Sequence, residues 1–328
     1  MIWRRFEGTE REWDDLVERL GATTPFQLSA WAEFRESSGW RSLRLTNGGS
    51  TAAVQLLIKS TGPLHIAWAP GAPLGEVTYE ELRNLALDTS RLLKSAVSYL
   101  RIADHHQYET KRSELLVSAG WSKCSNALGG TDTLVRPLHQ GVQAVSDAYS
   151  SNWSRNLRRG IQREITAEVW STPEAEIVAQ LHRDVEQVKE QFHAEWRSDQ
   201  ESIQKVIDAF GERLIMVKAQ DRDGGVLAVR AAIVIGANAF DFLAATSRDG
   251  RKNYASNVAL DTLLTALTAR SVTRYDFGGV DRANNKGVFD FKHGAGGMDF
   301  SYCGEYEIAV PRFAKSVVSK LLSLRLSA

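Results

Sequence analysis

One order of secondary structure elements occurs twice in the 328-residue chain, and this repeat constrains the fold more than any other feature. In each half, two strand-like segments joined by an Asn-Gly or Asp-Gly turn precede a third strand, a helix and a fourth strand. The first copy comprises residues 41–46, 52–59, 64–68, 79–96 and 98–102, and the second comprises 213–219, 226–235, 239–244, 255–269 and 272–277. A hairpin, another strand, a crossover helix and a further strand form a mixed sheet with helices on its faces. The repeat therefore predicts two similar α/β domains in tandem.

The composition is typical of a globular protein, with 43% hydrophobic and 24% charged residues. Lysine and arginine together number 40, as do aspartate and glutamate, so a site for a polyanion must be a local basic patch. Cys124 and Cys303 lack metal-ligand or disulfide spacing, which is typical of the reducing cytoplasm. No apolar run approaches the roughly 18 residues that span a bilayer. We expect a cytoplasmic protein, at most peripheral to a membrane, without a metal site; its oligomeric state stays open.

A basic helix is predicted at the junction of the two halves, in residues 151–163. Trp153, Leu157 and Ile161 follow at i, i+4 and i+8, so that one stripe can pack. Arginines at positions 155, 159 and 163 share that spacing on a neighbouring face. This row is either a solvated face paired with nearby acids or a phosphate-binding row, for which bidentate arginine is well suited.

A glycine-rich stretch, residues 275–306, follows the last strand of the second copy. Its six glycines between two strand-like pieces predict a loop that turns tightly or approaches a ligand closely. Within it, Lys292 follows the apolar residues Val288, Phe289 and Phe291, a setting that would partly desolvate its ammonium group. The alternative is an ordinary loop with a solvated lysine.

The order of several motifs resembles that of the FemAB/FemX family of tRNA-dependent peptidyltransferases, which add amino acids to cell-wall precursor peptides. The matching motifs are PFQLSAWAEF at 25–34, the arginine-rich helix at 155–163, YDFGGV at 275–280, GVFDFKH at 287–293 and GEY at 304–306. The resemblance implies two tandem GNAT-like (acyl-CoA N-acyltransferase-like) domains. The first would span residues 1–145 and be completed by 305–328, and the second would span 146–304. The partners implied are aminoacyl-tRNA as co-substrate, with no other cofactor, and a UDP-linked or lipid-linked cell-wall precursor.

The resemblance also assigns roles to individual residues. Lys292 corresponds to a lysine thought to meet the tRNA end or the developing oxyanion. Arg35, four residues after Trp31, corresponds to a basic residue that contacts the nucleotide diphosphate, and Arg197 falls near a second phosphate-binding arginine. Asp104 corresponds, with a shift of one residue, to an aspartate after the fourth strand of the first domain.

The chemistry of aminoacyl transfer requires a proton acceptor for the attacking amine and a group that stabilises an oxyanion. Lys292 or nearby backbone N–H groups would serve the oxyanion, and Asp104 and Asp276 are the candidate proton acceptors. Asp276 could equally hold its loop by hydrogen bonds.

The predicted tRNA-binding residues are Lys292 and the arginines of the basic helix, Arg155, Arg158, Arg159 and Arg163. The predicted substrate contacts are Arg35, Trp31, Arg197, Tyr254, Phe291 and Tyr306, with packing as the alternative role of the two tyrosines.

Three other functions stay open. A turn that is basic in the family is Ala-Pro-Gly-Ala-Pro here (69–73), so the acceptor could instead be a soluble natural-product peptide or a nucleoside. Transfer from acyl-CoA is possible on this fold, although the turns at 69–75 and 247–256 offer a pyrophosphate few glycines or free N–H groups. A protein that binds RNA without catalysis is the third.

Four further helices are predicted outside the repeated order. Residues 174–191 and 199–210 replace the long coiled-coil arm of some family members. At the C-terminal end, Phe313, Val317, Leu321 and Leu324 form one apolar stripe of a helix at 313–326, which we expect to pack on the body of the protein. Ser29 is the expected N-cap of a helix that ends at Ser37.

Overall fold

A computed structural model describes residues 2–138, 141–186 and 199–319 of the chain. The chain divides into two compact units, which are described separately below. Unit 1 comprises Met1–Asp132 and Ser301–Ala328, and unit 2 comprises Thr133–Phe300. The sequence-based boundaries are 145/146 and 304/305.

Fourteen strands and ten helices lie in the described residues. The strands are β1 (Arg4–Arg5), β2 (Arg41–Thr46), β3 (Ala52–Thr61), β4 (Leu64–Pro70), β5 (Leu74–Gly75), β6 (Val97–Gln107), β7 (Ser122–Lys123), β8 (Asp132–Pro137), β9 (Thr166–Val169), β10 (Leu214–Gln220), β11 (Val226–Ile235), β12 (Asn238–Thr246), β13 (Arg274–Gly279) and β14 (Met298–Val310). The helices are α1 (Glu10–Arg19), α2 (Ser29–Glu36), α3 (Tyr79–Leu93), α4 (Thr110–Ser118), α5 (Ser151–Gln162), α6 (Ala175–Glu186), α7 (Gln200–Phe210), α8 (Arg248–Lys252), α9 (Ala255–Ala269) and α10 (Lys286–Gly294).

Unit 1 is built on a mixed sheet with the order β1-β2-β3-β4-β6-β14. β2 and β3 form an antiparallel hairpin, and β4 pairs with β6 in parallel after the crossover helix α3. Helix α3 begins with a capping box, in which Thr78 and Glu81 satisfy each other's backbone N–H groups. The strand β14 pairs with β6 in antiparallel orientation and brings Cys303, Tyr306 and Ile308 into the core of the unit.

Unit 2 repeats this arrangement in the order β8-β13-β12-β11-β10-β9. β10 and β11 form the hairpin, and β12 pairs in parallel with β13 after the crossover helix α9. Helix α9 is apolar around most of its circumference, and it is buried with Trp153 of α5 in the main core cluster of this unit. Both units therefore contain the repeated element order on mixed sheets, which confirms the predicted α/β class.

The structure corrects several local predictions. The glycine-rich stretch contains the helix α10 instead of a loop throughout, because Phe289 and Phe291 pack against the core cluster of unit 2. Ser29 is the first residue of α2 and not its cap, since its hydroxyl donates to Asp14 at 2.9 Å.

At the C-terminal end Ala314 and Val318 are buried, whereas Phe313 and Val317 of the predicted apolar stripe are 81% and 60% exposed. Leu321 and Leu324 lie outside the described residues, as does the part of the predicted 174–191 helix beyond residue 186.

None of the helices in the described residues is both long enough and apolar enough to cross a membrane.

Candidate functional site in the second unit

Lys292 lies in the last turn of α10 with a half-buried side chain. Its Nζ donates to the carbonyl oxygens of Gly278, at 3.2 Å, and Gly279, at 3.0 Å. An ammonium group has three N–H bonds, and these two carbonyls are its only hydrogen-bond partners among the described residues. The third N–H therefore remains available for a ligand.

The turn at the end of β13 sets the position of these two carbonyls. The parallel pairing of β12 with β13 ends at Phe240 and Asp276, and Gly278 then adopts a left-handed φ of +68°. A Cβ at position 278 would also lie 3.2 Å from the backbone oxygen of Asp241, so both conformation and space favour glycine. The buried carboxylate of Asp276 accepts hydrogen bonds from Gly278 N, at 3.0 Å, and from Thr133 Oγ1, at 2.6 Å. These bonds are the kind that hold a loop, and the role of Asp276 as a proton acceptor stays a prediction.

A buried ion pair lies beside Lys292, formed by Arg230 of β11 and Asp241 of β12. The guanidinium carbon of Arg230 is 5.3 Å from the centre of the Phe291 ring, the residue that precedes Lys292. Burial lowers the pKa of Lys292 from its ordinary value; Asp241 opposes this effect and Arg230 adds to it. A lysine in this setting releases its proton more readily than a lysine in water. While it is protonated, it donates a stronger hydrogen bond.

Sequence analysis did not identify Arg230 and Asp241. The sequence did contain an indication of their pairing, since each is a charged residue within an otherwise largely apolar strand. Charged side chains are buried almost only when they are paired. The pairing itself depends on the β11–β12 register, which places Asp241 opposite Ala232 after a bulge.

The predicted arginine row lies exposed on α5. Arg155 donates to Asn152 at 3.1 Å, and Arg159 donates to the hydroxyl of Tyr254 at 3.3 Å. Arg163 donates to Asn253 at 3.2 Å, and its guanidinium carbon is 5.1 Å from the centre of the Tyr254 ring. Tyr254 is thus held between two arginines at the point where α8 meets α9.

Helix α8 adds three further cations to this surface. We call the combined set the basic patch, which consists of Arg155, Arg158, Arg159, Arg163, Arg248, Arg251 and Lys252. Within the described part of the chain its only ion pair is the one between Lys252 and Asp249, at 3.0 Å. One predicted role of the arginine row was a solvated face whose arginines pair with nearby acids. The described residues do not provide those acids. The contribution of α8 could not be predicted, because it lies about ninety residues from α5.

Four other predicted site residues lie in unit 1, and all four are buried there. Arg35 is only 3% exposed, and its guanidinium carbon lies 5.6 Å from the ring of Trp31 and 5.7 Å from that of Trp40. Trp31 is also buried and packs edge to face on Phe26, with the ring centres 4.9 Å apart. Cation–π contacts of this kind stabilise a buried guanidinium group. In this structure Arg35 and Trp31 contact an aromatic cluster, and their predicted substrate contacts stay a prediction.

Asp104 lies at the end of β6 and is fully buried. One carboxylate oxygen accepts from His106 Nδ1 at 2.7 Å, and the other accepts from Arg112 Nε at 2.5 Å. Burial by itself would raise the pKa of this carboxyl, but the hydrogen bond from His106 and the charge of Arg112 together lower it. Tyr306 is also fully buried and donates to Ser113 at 2.8 Å; burial raises its pKa to about 12. Both residues have the contacts of structural groups.

Residues 173–320 match the sequence model of the FemAB family. The matched segment covers slightly less than half of the chain. A structure described as the crystal structure of FemX shares the fold with a TM-score of 0.79, at 16% identity over 93% of this chain and 96% of that chain. No curated protein matches the sequence.

More distant solved structures share the same fold. L-PGS from Bacillus licheniformis has a TM-score of 0.55, at 11% identity over 98% of each chain. A tandem GNAT protein from the clavulanic acid biosynthesis pathway has a TM-score of 0.53, at 11% identity over 94% of this chain and 98% of that chain. These neighbours confirm the predicted GNAT-like fold.

The FemAB-like site residues thus fall into separate groups. Unit 2 brings Lys292, Phe291 and Asp276 together, and it brings two of the four predicted arginines, Arg159 and Arg163, together with Tyr254. Unit 1 contains Trp31, Arg35, Asp104 and Tyr306. Arg197 lies outside the described residues.

Proposed function

We propose that the chain transfers an aminoacyl group from aminoacyl-tRNA to the amine of a small acceptor, which is a peptidoglycan precursor peptide by likeness to the FemAB family. The observation that carries this proposal is the half-buried ammonium of Lys292, held by two carbonyls with one N–H left over. Lys292 lies inside the segment that matches the family model. Because charged tRNA is a cytoplasmic donor, we place the reaction in the cytoplasm.

The chemistry requires little from the protein beyond position and charge. The amine of the acceptor attacks the ester carbonyl, a C–N bond forms, and the C–O bond to the ribose breaks while the ribose oxygen takes up a proton. An ester is already activated, so holding the two substrates in contact supplies much of the rate. The free N–H of Lys292 is suited to stabilise the oxyanion or to protonate the leaving oxygen, since its surroundings disfavour the charged lysine.

The basic patch supports RNA as the donor. Its arginines are exposed and lack acidic partners in the described residues. Guanidinium groups bind phosphate oxygens in a bidentate manner, and a row of them along one helix can follow a nucleic-acid backbone. Because the chain has no net charge, this patch is the local site that RNA binding requires.

The proposal is tested by incubating the full chain with a pool of tRNAs charged with labelled amino acids and a UDP-linked cell-wall precursor peptide. We expect label in an amide of the precursor, dependent on tRNA and insensitive to acetyl-CoA. A parallel reaction uses a small-molecule extract in place of the precursor and detects a soluble acceptor. Transfer from acetyl-CoA in the absence of tRNA would contradict the proposal, and tRNA binding without product from either acceptor source would indicate a non-catalytic protein.

A variant of Lys292 tests its role directly. Lys292→Ala should lower kcat by about 10²–10³, the loss seen when one oxyanion donor is removed. The matched control is Lys286→Ala on the same helix. Among the described residues, the exposed side chain of Lys286 forms an ion pair only with Asp290, and this variant should keep its activity. Equal rates for wild type and Lys292→Ala would remove Lys292 from the mechanism.

A further inference from the structure

The last described residues of unit 1 expose two large apolar side chains. Phe313 is 81% exposed and Val317, four residues later, is 60% exposed. Residues 314–319 have a helical conformation, so Val317 follows Phe313 by about one turn. Neither the repeated element order nor the proposed chemistry of Lys292 accounts for this exposure.

Contacts on the opposite side fix the orientation of this helical segment. Ala314 and Val318 are buried in a small apolar cluster against β6 and β14. The Nζ of Lys315 donates to the hydroxyl of Ser122 at 2.8 Å. Because these contacts hold one side of the segment on unit 1, the side that carries Phe313 faces solvent.

Helix α4 exposes a third apolar side chain close to the segment. Its Val117 is 55% exposed, and the carbonyl of Val117 accepts from the N–H of Gly120 at 3.0 Å. Gly120 in turn lies against Arg312, since a Cβ at position 120 would be 2.6 Å from Arg312 Nη2. We call Val117, Arg312, Phe313 and Val317 together the Phe313 surface.

The C-terminal end of the chain is strongly basic. Residues 311–328 contain no acid, and their four cations are Arg312, Lys315, Lys320 and Arg325. Cations thus alternate with apolar residues along this stretch of the sequence. A partner of negative charge complements it.

Acids close to the segment do not cancel this charge. Glu307 of β14 is buried, and its carboxylate accepts from the hydroxyl of Ser319 at 3.1 Å. On α4 and β7 one acid is exposed, Glu114, together with the two lysines Lys111 and Lys123. These elements therefore add no net negative charge to the Phe313 surface.

A few apolar side chains among cations favour a lipid surface over a protein partner. A stable protein interface buries roughly 1,200–2,000 Å² in total, far more than three side chains provide. A helix in the plane of a membrane interface, in contrast, inserts phenylalanine and aliphatic side chains while lysine and arginine contact the headgroups. The chemistry of the Phe313 surface matches this second mode.

We propose that the Phe313 surface binds the anionic headgroup region of a lipid bilayer. Phe313 and Val317 enter the boundary between headgroups and acyl chains, and Arg312 lies among the lipid phosphates. The inference concerns binding to a surface and does not rest on the proposed transfer reaction.

The test is co-sedimentation of the full chain with lipid vesicles. One set of vesicles contains equal parts of phosphatidylglycerol and phosphatidylcholine, and the other contains phosphatidylcholine alone. We expect binding to be at least about tenfold tighter for the anionic vesicles, since each lysine or arginine near such a surface strengthens binding about fivefold. Equal affinity for both sets, or binding to neither, would overturn the inference.

Variants locate the contact on the chain. Phe313→Ser combined with Val317→Ser removes the inserted side chains and should weaken binding to the anionic vesicles by about tenfold or more. Arg312→Gln should weaken it about fivefold. The matched control is Val142→Ser, at an exposed valine of unit 2, which should bind like the wild type. All of these side chains are exposed, so thermal unfolding should be unchanged.

Two results with these variants would contradict the proposal. Binding to anionic vesicles that survives the loss of Phe313 and Val317 would assign the contact to another surface, such as the basic patch. Light scattering without vesicles examines a second copy of the chain as the occupant. A dimer that is disrupted by Phe313→Ser would likewise overturn the inference.

The outcome is separate from that of the proposed function, which is measured with soluble substrates. Aminoacyl transfer by a chain that binds no vesicles would reject the membrane inference alone. Vesicle binding through the Phe313 surface without transfer would reject the enzyme proposal alone.

Discussion

Asp104 and Lys292 are both withdrawn from water, and the pKa of each lies below its ordinary value for a different reason. At Asp104 the partners His106 and Arg112 overcome the effect of burial and hold the carboxyl in its charged form. At Lys292 burial itself lowers the pKa, and the nearby charges of Arg230 and Asp241 oppose each other. The first setting stabilises a charge and the second destabilises one. Asp104 therefore has the surroundings of a structural ion, and Lys292 those of a reactive group.

Asp104→Asn tests this distinction at the residue scale. Breaking a buried ion pair leaves Arg112 uncompensated, so the free energy of unfolding should fall by about 3 kcal/mol at pH 7. Because the pKa of the native carboxyl is lowered, its stabilising effect is fully present above the ordinary carboxyl value and is lost as pH falls through the native value. The difference between wild type and variant should therefore shrink below about pH 4.

The measurement is urea denaturation at several pH values. Asp15→Asn on α1, where the aspartate is exposed, is the matched control. This variant should leave the free energy of unfolding almost unchanged. If Asp104→Asn instead abolished transfer with no loss of stability, Asp104 would be one of the two proton acceptors that the chemistry of aminoacyl transfer suggests.

At the scale of elements, sequence patterns predict best where periodicity decides the structure. The bounds of β2, β11 and α9 coincide with the predicted ones, because turn residues or a change of period flank each. Helix α10 was missed because glycine content indicated a loop, whereas packing of Phe289 and Phe291 decides the local structure. The pairing of Arg230 with Asp241 and the approach of α8 to α5 involve positions far apart in sequence, which periodicity cannot reveal.

Two glycines of α10 should respond to substitution in opposite directions. Gly287 has nothing within 4 Å of its missing Cβ, so Gly287→Ala should raise the free energy of unfolding by up to about 1 kcal/mol through helix propensity. At Gly294 a Cβ would lie 3.2 Å from both Ser150 Oγ and Trp153 Cδ1, and Gly294→Val should cost about 1–3 kcal/mol. Urea denaturation compares the two. Similar effects of both would mean that α10 does not pack on α5 as described.

The arginines of α5 should contribute to RNA binding through counterion release. Replacing Arg155 and Arg159 together with alanine should reduce the slope of log K against log salt by about 1.4, or about 0.7 for each contact with a single strand. Arg222→Ala, in the exposed turn between β10 and β11, is the control and should leave the slope unchanged. Filter binding of a single-stranded RNA at a series of salt concentrations measures the slope. An equal loss of affinity at every salt concentration would indicate misfolding instead of lost phosphate contacts.

At the scale of the whole molecule, the chain leaves unit 1 at Asp132 and returns to it at Ser301. The returning strand β14 carries the buried pair of Glu305 with Arg101, and Glu305 also accepts from the N–H of Gly129 at 2.7 Å. The repeated element order predicted two domains, but it could not predict this return, because the five elements read from the sequence end at β6 and do not include β14. The resemblance alone placed the C-terminal segment in the first domain.

A charge placed in β14 should unfold unit 1. Ile308 is buried in the core, so Ile308→Asp should lower the free energy of unfolding by at least about 4 kcal/mol. Phe313→Asp, five residues later at an exposed position, should have almost no effect. Circular dichroism during thermal unfolding distinguishes the two variants. A stable Ile308→Asp protein would show that β14 is dispensable to the core.

The return of β14 also has a consequence for synthesis on the ribosome. The chain emerges from its amino-terminal end, so all of unit 2 is made after β6 and before the strand that pairs with β6 in unit 1. At 5–20 residues per second, roughly 10–40 s pass between the synthesis of β6 and that of its partner strand. During this interval the nascent first unit presents unpaired backbone groups that another chain could join. Unit 2, which is continuous in sequence, is free to complete its own core first.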